Sequence, residues 1–383
     1  MSRVVVIGGG ATGLSAAFWS LREGASVTVV EKGIVGWEAS GRNGGGATHA
    51  VSPLFAEEQR LWPMMDDLLG YPTEYQRQRV RIGLSRTQLD LILEGVNIAR
   101  SQGFTAEELD NQALRELVPF VRETAAGGVL LHYGGHANPQ RTLQAYAWAV
   151  QDLGGTIQQH TVVTGFDTTG GRISAVWTDQ GVIGCDVVVL AAGPHTAQLA
   201  GLLGIVVPVA AARAEMVVTE PLPLIRFGGA DGNGVYGRQT LRGNLAYGGG
   251  PHEWIELPDA TTPKPVNSPV MQSVAKRMFE LFPKVAHARV IRSWAGVVEN
   301  TPDGRPILDR LAGPDNLVVA SMSSVGFGLS PASGRAVMQL ALHGACDFAD
   351  LTQLQLSRFD GLAADWAEAA GWVPWTRAEE ARV

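Results

Sequence analysis

Two hydrophobic periods alternate along this chain. Residues 4–7 are an unbroken apolar, β-branched run, which predicts a buried strand that begins at Arg3. A glycine-rich break follows, then an Ala-rich stretch, then a second, β-branched strand over 26–30. From about 56 to 118 the pattern turns helical, with Leu89, Ile92, Leu93, Val96 and Ile98 at mixed three- and four-residue spacing. Residues 140–154 predict another helix, started after Pro139 and stopped by Gly154-Gly155. Residues 156–166, 173–178 and 182–191 predict strands. From 207 to about 291 short strands separated by Pro and Gly predict an antiparallel sheet, with a helix at 269–282. A strand at 317–320 and a helix at 331–343 follow, with Pro331 suiting the first helical turn.

The break after the first strand is Gly8-Gly9-Gly10-Ala11-Thr12-Gly13, a Gly-x-Gly-x-x-Gly between strand and helix. Gly8 allows the tight turn, Gly10 lets the backbone approach a pyrophosphate, and Gly13 lets helix and strand pack closely. Ala11 and Thr12 open the helix, whose free N–H groups and partial positive charge favour phosphate. Glu31, at the end of the second strand and followed by Lys32, can accept hydrogen bonds from a ribose diol. The whole strand–turn–helix–strand–acid unit predicts dinucleotide binding. Residues 36–46, which include Ser40, Arg42, Asn43, Gly44 and Gly45, are too glycine-rich for a helix packed on a sheet. They predict an extended loop against a large flat ligand.

These two segments resemble the FAD-dependent amino-acid oxidase superfamily, which includes glycine and sarcosine oxidases and D-amino-acid oxidases. The Ala39-Ser40-Gly41-Arg42-Asn43-Gly44-Gly45 form is most similar to flavin subunits of heteromeric sarcosine oxidases and of proline, hydroxyproline and opine dehydrogenases. The resemblance reaches about residue 345, with further matches at Thr301-Pro302-Asp303 and in the glycine loop from Gly326. It implies an α/β fold: a Rossmann-like FAD-binding domain of the glutathione-reductase type (1–55, 138–206 and 292–345), interleaved with an antiparallel-sheet substrate domain (56–137 and 207–291). Residues 346–383, with Trp366, Trp372 and Trp375, are left as a tail packed on the body. The resemblance also implies that Ala192 and Gly193, ending the strand at 186–191, lie near the cofactor. Val163 meets the adenine on this reading, or else serves ordinary sheet packing. Gly326, Phe327, Gly328, Leu329 and Ser330 open a helix whose N–H groups can face the flavin pyrimidine.

The departures limit what carries over. Relatives hold a substrate carboxylate with a cation, because a buried carboxylate without a partner is costly. The matching positions here are Val298, Gly328 and Thr48 or His49. Arg238, Arg242 and Arg213 are alternative cations on the substrate sheet, each also readable as a structural arginine. His49 and Tyr247 are further candidates to face the substrate. Arg238 shares a strand face with Tyr236, since strands alternate. Neither Cys185 nor Cys346 matches the position near Gly296 at which monomeric sarcosine oxidases tether their flavin, so FAD is expected to be noncovalent. His132 and His136 flank Gly134-Gly135, which argues against a helical metal pair, and no metal is expected.

Composition narrows the class. The chain has 383 residues, 45% hydrophobic and 17% charged, with a net charge of −7, which carries no nucleic-acid footprint. Two cysteines make no disulfide framework, and the start of the chain reads as a strand, not a leader. The longest apolar run, 199–212, is broken by Gly201, Gly204 and Pro208 and is too short to span a membrane. A cytoplasmic setting fits. Three readings stay open: an amine or amino-acid oxidoreductase, alone or within a larger dehydrogenase; a related flavoenzyme acting on a hydroxy acid or a specialised-metabolite amine; and a non-catalytic flavin-binding subunit.

Overall fold

In the computed structural model, which describes residues 1–257 and 268–372, the apolar runs gather into one six-stranded sheet. Its order is Ile307–Arg310, Leu317–Ser321, Val187–Leu190, Arg3–Ile7, Ser26–Val30 and Thr156–Gln158. All neighbours are parallel except the first pair. The central strands are buried on both faces, which is why they read as continuous apolar runs. Helices Ala11–Arg22, Pro139–Asp152 and Gly326–Leu342 cover one face. A three-stranded antiparallel meander (Val163–Thr169, Arg172–Thr178, Gly181–Gly184) covers the other.

The second sheet has nine strands, antiparallel apart from the pairing of Ala230–Gly232 with Gln76–Gly83. Helix Ser268–Leu281 packs on it through Val274, Met278 and Leu281. The loop strand Gly46–Ala47 joins one end of this sheet and Val290–Asn300 the other. The division drawn at 292 therefore cuts through a strand that pairs with Ala210–Pro221 along its length. In the C-terminal segment Leu351 and Leu354 enter the main core, and Trp372 stacks on Trp254 at 4.2 Å. Trp375 lies outside the described residues.

Two local expectations are corrected. The helix expected at 331–343 begins at Gly326, five residues before Pro331. Pro331 lacks the N–H that would bond Phe327, yet indole N–H groups hold the turn around it: Trp62 donates to the Gly328 carbonyl (2.6 Å) and Trp19 to that of Pro331 (3.1 Å). The glycine-rich loop is not extended throughout, because Ala39–Arg42 forms one helical turn. Asn43 closes that turn, its Nδ2 donating to the carbonyls of Ala39 (3.0 Å) and Ser40 (2.8 Å).

Candidate active site

A cleft of about 340 Å³ runs across the carboxyl ends of the parallel strands, the place where open α/β sheets bind ligands. From one end to the other it meets Glu31 after Ser26–Val30, Gly8 and Gly10 after Arg3–Ile7, Gly193 after Val187–Leu190, and Met322 after Leu317–Ser321. Gly8 sits at φ 113°, and a Cβ there would strike the Ala191 carbonyl. A Cβ on Gly13 would strike the Gly8 carbonyl, so helix and turn touch backbone to backbone. Helix Ala11–Arg22 starts without a side-chain cap, which leaves its positive end toward the cleft. Ser40 reaches it, its Oγ accepting from the Ala11 N–H at 3.0 Å.

Glu31 is held by two backbone donors, Gly9 N–H to Oε2 (2.8 Å) and Gly33 N–H to Oε1 (2.7 Å). Each oxygen keeps a second lone pair for a ligand hydroxyl. Lys32 donates to His195 Nε2 at 2.5 Å, so the ring N–H lies at Nδ1 and faces Gln198 Oε1 (2.9 Å). Val163, Ala192, Gly193, Gly326 and Phe327 all line the cleft. Glu31→Ala should weaken FAD binding about tenfold or more, the worth of a hydrogen bond to a charged group. Titration of the variant with FAD checks this, and an unchanged dissociation constant would refute the role.

The glycine loop is braced from behind. Arg42 donates to the carbonyls of Trp37 (2.5 Å) and Ala295 (2.8 Å), tying the loop to Val290–Asn300. Asn43 Oδ1 accepts from the Gly45 N–H at 2.7 Å. Arg238 is buried and donates to the Gly44 carbonyl at 2.9 Å. No carboxylate among the described residues lies within ion-pair distance of it; burial brings its guanidinium down to about 10, against the more distant negative charge of Glu74. Beside it, buried Arg79 pairs with Asp231 and meets the loop at Gly46. His136 is sealed between these arginines with both ring nitrogens unpartnered. Burial, then the charges of Arg79 and Arg238, hold it well below its ordinary value.

That imidazole has a consequence for stability. The unfolded chain takes up a proton at His136 as pH falls through about 6.5, and the folded chain does not. Stability should therefore drop by up to about 1.4 kcal/mol per pH unit below that point. His136→Asn should flatten the fall in melting temperature between neutral and mildly acid buffer. An equally steep fall in the variant would remove His136 from the account.

On the nine-stranded sheet, outside the lining of the cleft, Tyr236 shares the Arg238 face, its ring edge 3.2 Å from where a Cβ on Gly44 would stand. His49 packs against Gly328, and Nδ1 meets Glu58 Oε1 at 2.6 Å. Glu58, on helix Phe55–Leu61, is fully buried. The sequence reading missed this partner, because nine residues separate a loop histidine from a helical glutamate without any recurring spacing. It also missed Glu299, His195 and the Arg79–Asp231 pair. Tyr247 is a correction. Strand pairing sets it opposite Gly237, hence on the face away from Tyr236 and Arg238. It is buried against Phe282, and its hydroxyl donates to the Ala230 carbonyl at 2.5 Å.

The glycines that a Cβ would fill, the helix start whose own N-cap residue supplies no side chain, and the anchored Glu31 suit a pyrophosphate-linked dinucleotide. Comparison with known proteins agrees. The model of the family described as FAD dependent oxidoreductase matches residues 3–340. Sarcosine oxidase subunit beta of Rhizobium meliloti is 29% identical over 364 residues, covering 89% of this chain and 85% of that one. Glycine oxidase of Pseudomonas putida is 26% identical over 328 residues, covering 82% and 87%. The crystal structure of L-proline dehydrogenase from P. horikoshii superposes with a TM-score of 0.84 at 22% identity, covering 94% of this chain and 98% of that one. Fold, cleft and family model converge on one cofactor, FAD, and the chain belongs to the FAD dependent oxidoreductase (DAO) family.

Proposed function

We propose that this protein oxidises the C–N bond of a small amine or amino acid. When bound in the cleft, FAD would supply the redox chemistry, a two-electron hydride acceptor for the carbon that bears the amine, with the resulting imine hydrolysed by water. The chain's residues bind and orient. Glu31, the Gly8–Gly13 turn and the start of Gly326–Leu342 hold the cofactor, and Arg42 and Asn43 fix the loop between the two sheets. His49 is kept in one orientation by Glu58, which leaves Nε2 for the substrate side. Arg238 anchors a substrate carboxylate.

One structural observation supports this most: a buried guanidinium beside the glycine loop with no carboxylate among the described residues paired to it. The names of the relatives, sarcosine oxidase subunit beta and glycine oxidase, support the substrate class. Because one of these is a subunit, the reading includes work within a larger assembly. It also includes a cytoplasmic setting, in keeping with two free thiols, Cys185 and Cys346. No helix among the described residues is long and apolar enough to cross a membrane.

The test is anaerobic flavin bleaching with a panel of amines, amino acids and hydroxy acids. Bleaching by secondary amines or amino acids, faster at higher pH where the amine is neutral, is the expected result. Bleaching by hydroxy acids alone would overturn the substrate class, and no bleaching by any would point to a non-catalytic subunit. Acid precipitation should release the FAD into the supernatant. Flavin left on the denatured chain would refute noncovalent binding.

A further inference from the structure

Among the described residues, Glu299 is the one buried carboxyl in the cleft for which the dinucleotide motif has no use. It comes from the far end of the nine-stranded sheet, on strand Val290–Asn300, and turns into the cleft beside Val298. One oxygen, Oε1, accepts from the Met322 N–H at 2.9 Å. The other, Oε2, faces Gly193, 3.7 Å from where a Cβ there would stand. Both neighbours close the ends of strands in the parallel sheet. The Glu299 carbonyl is fixed too, accepting from Ser324 Oγ at 3.1 Å. The carboxyl is thus clamped at one oxygen and open to the ligand at the other.

Its place along the cleft identifies what it meets. Glu31 marks the adenosine end, and the Gly8–Gly13 turn marks the pyrophosphate. Gly193 and Met322 follow on the opposite side of that turn, in the order of the strands. In FAD the group next to the pyrophosphate on the flavin side is the ribityl chain, a row of hydroxyls. We propose that Glu299 is a cofactor ligand whose Oε2 hydrogen-bonds the ribityl chain as a neutral carboxylic acid. A neutral acid is both donor and acceptor, which suits a hydroxyl, and it adds no negative charge beside the phosphates or the flavin. Burial pushes the Glu299 carboxyl up from its ordinary value, with backbone N–H groups opposing and no cation among the described residues paired with it. The assignment rests on FAD occupying the cleft in the direction set by Glu31.

The test compares Glu299→Gln with Glu299→Ala in the FAD-loaded protein. Glutamine keeps the shape, the acceptor for Met322 and an uncharged donor. It should hold the FAD dissociation constant within about threefold and leave the flavin midpoint potential unchanged. Alanine should weaken FAD about fivefold to tenfold. An upward shift of the potential in Glu299→Gln would show that a carboxylate had been removed and would overturn the neutral form. An unchanged FAD constant in Glu299→Ala would overturn the contact. If alanine does not fold, Glu299→Met, which fills the volume without a hydrogen-bonding group, should weaken FAD about fivefold to tenfold, and an unchanged constant there would overturn the contact. A merely structural clamp on Met322 would lower the melting temperature of the FAD-stripped protein and leave the FAD constant alone. Loss of FAD from Glu31→Ala with no change in either Glu299 variant would refute this contact while leaving the dinucleotide reading intact.

Discussion

A Gly13→Val protein is expected to purify without flavin. The Cβ of any residue at 13 would run into the Gly8 carbonyl, and Val6 Cγ1 stands 3.3 Å away on the other side. The turn cannot retreat, because Gly8 is itself at φ 113° with Ala191 backbone against it. Overpacking of this kind costs about 1–3 kcal/mol in the fold. The larger effect falls on the cofactor, because the turn that must lie against the pyrophosphate is the part that shifts. FAD affinity should drop by roughly two orders of magnitude, the equivalent of about 2.7 kcal/mol. The flavin-to-protein absorbance ratio after dialysis reads this directly. Gly95→Ala is the control: Gly95 lies in helix Arg86–Ser101 with nothing within 4 Å of the added atom. That change should leave FAD bound and stabilise the helix by up to about 1 kcal/mol. A valine variant that keeps a full complement of FAD would remove the close-packing role from Gly13.

The cofactor half of this molecule was legible because its chemistry is local. Strand, turn, helix start and terminal acid are consecutive, and each step restricts residue type: glycine where backbones meet, apolar residues where a strand is covered on both faces, an acid at the strand end. The substrate half is built from register. Tyr236, Arg238 and Tyr247 lie on neighbouring strands, and alternation alone says that Tyr236 and Arg238 share a face. Which face Tyr247 takes depends on its pairing with Gly237, a relation between segments that no single run of residues records. Gly326–Leu342 and Pro331 make the same point for a helix. Proline reads as a start signal, but the helix begins at Gly326, and side chains from distant segments, Trp19 and Trp62, bond the carbonyls of Pro331 and Gly328. His49 with Glu58, and Glu299 with Met322, are likewise pairs that only the closed fold brings together.

Arg238→Met should raise the KM for carboxylate-bearing substrates by roughly tenfold to a hundredfold, with FAD still bound. The guanidinium is desolvated and its only protein partner among the described hydrogen bonds is the Gly44 carbonyl. A buried cation in that state is costly unless an anion answers it. An incoming carboxylate would do so through the donors that Gly44 does not use, and a hydrogen bond to a charged group is worth about 1.5–3 kcal/mol. Methionine keeps much of the packing volume while removing the charge. The Gly44 carbonyl loses its donor, which should lower stability by about 1 kcal/mol without emptying the cleft. The decisive comparison is a substrate identified by flavin bleaching against its decarboxylated amine. The amine lacks the group that Arg238 would meet, so its KM should move by no more than about threefold. A matched rise for both compounds would mean that Arg238 acts only through the glycine loop it braces. No change for either would favour a substrate without a carboxylate, with the cation serving the fold alone.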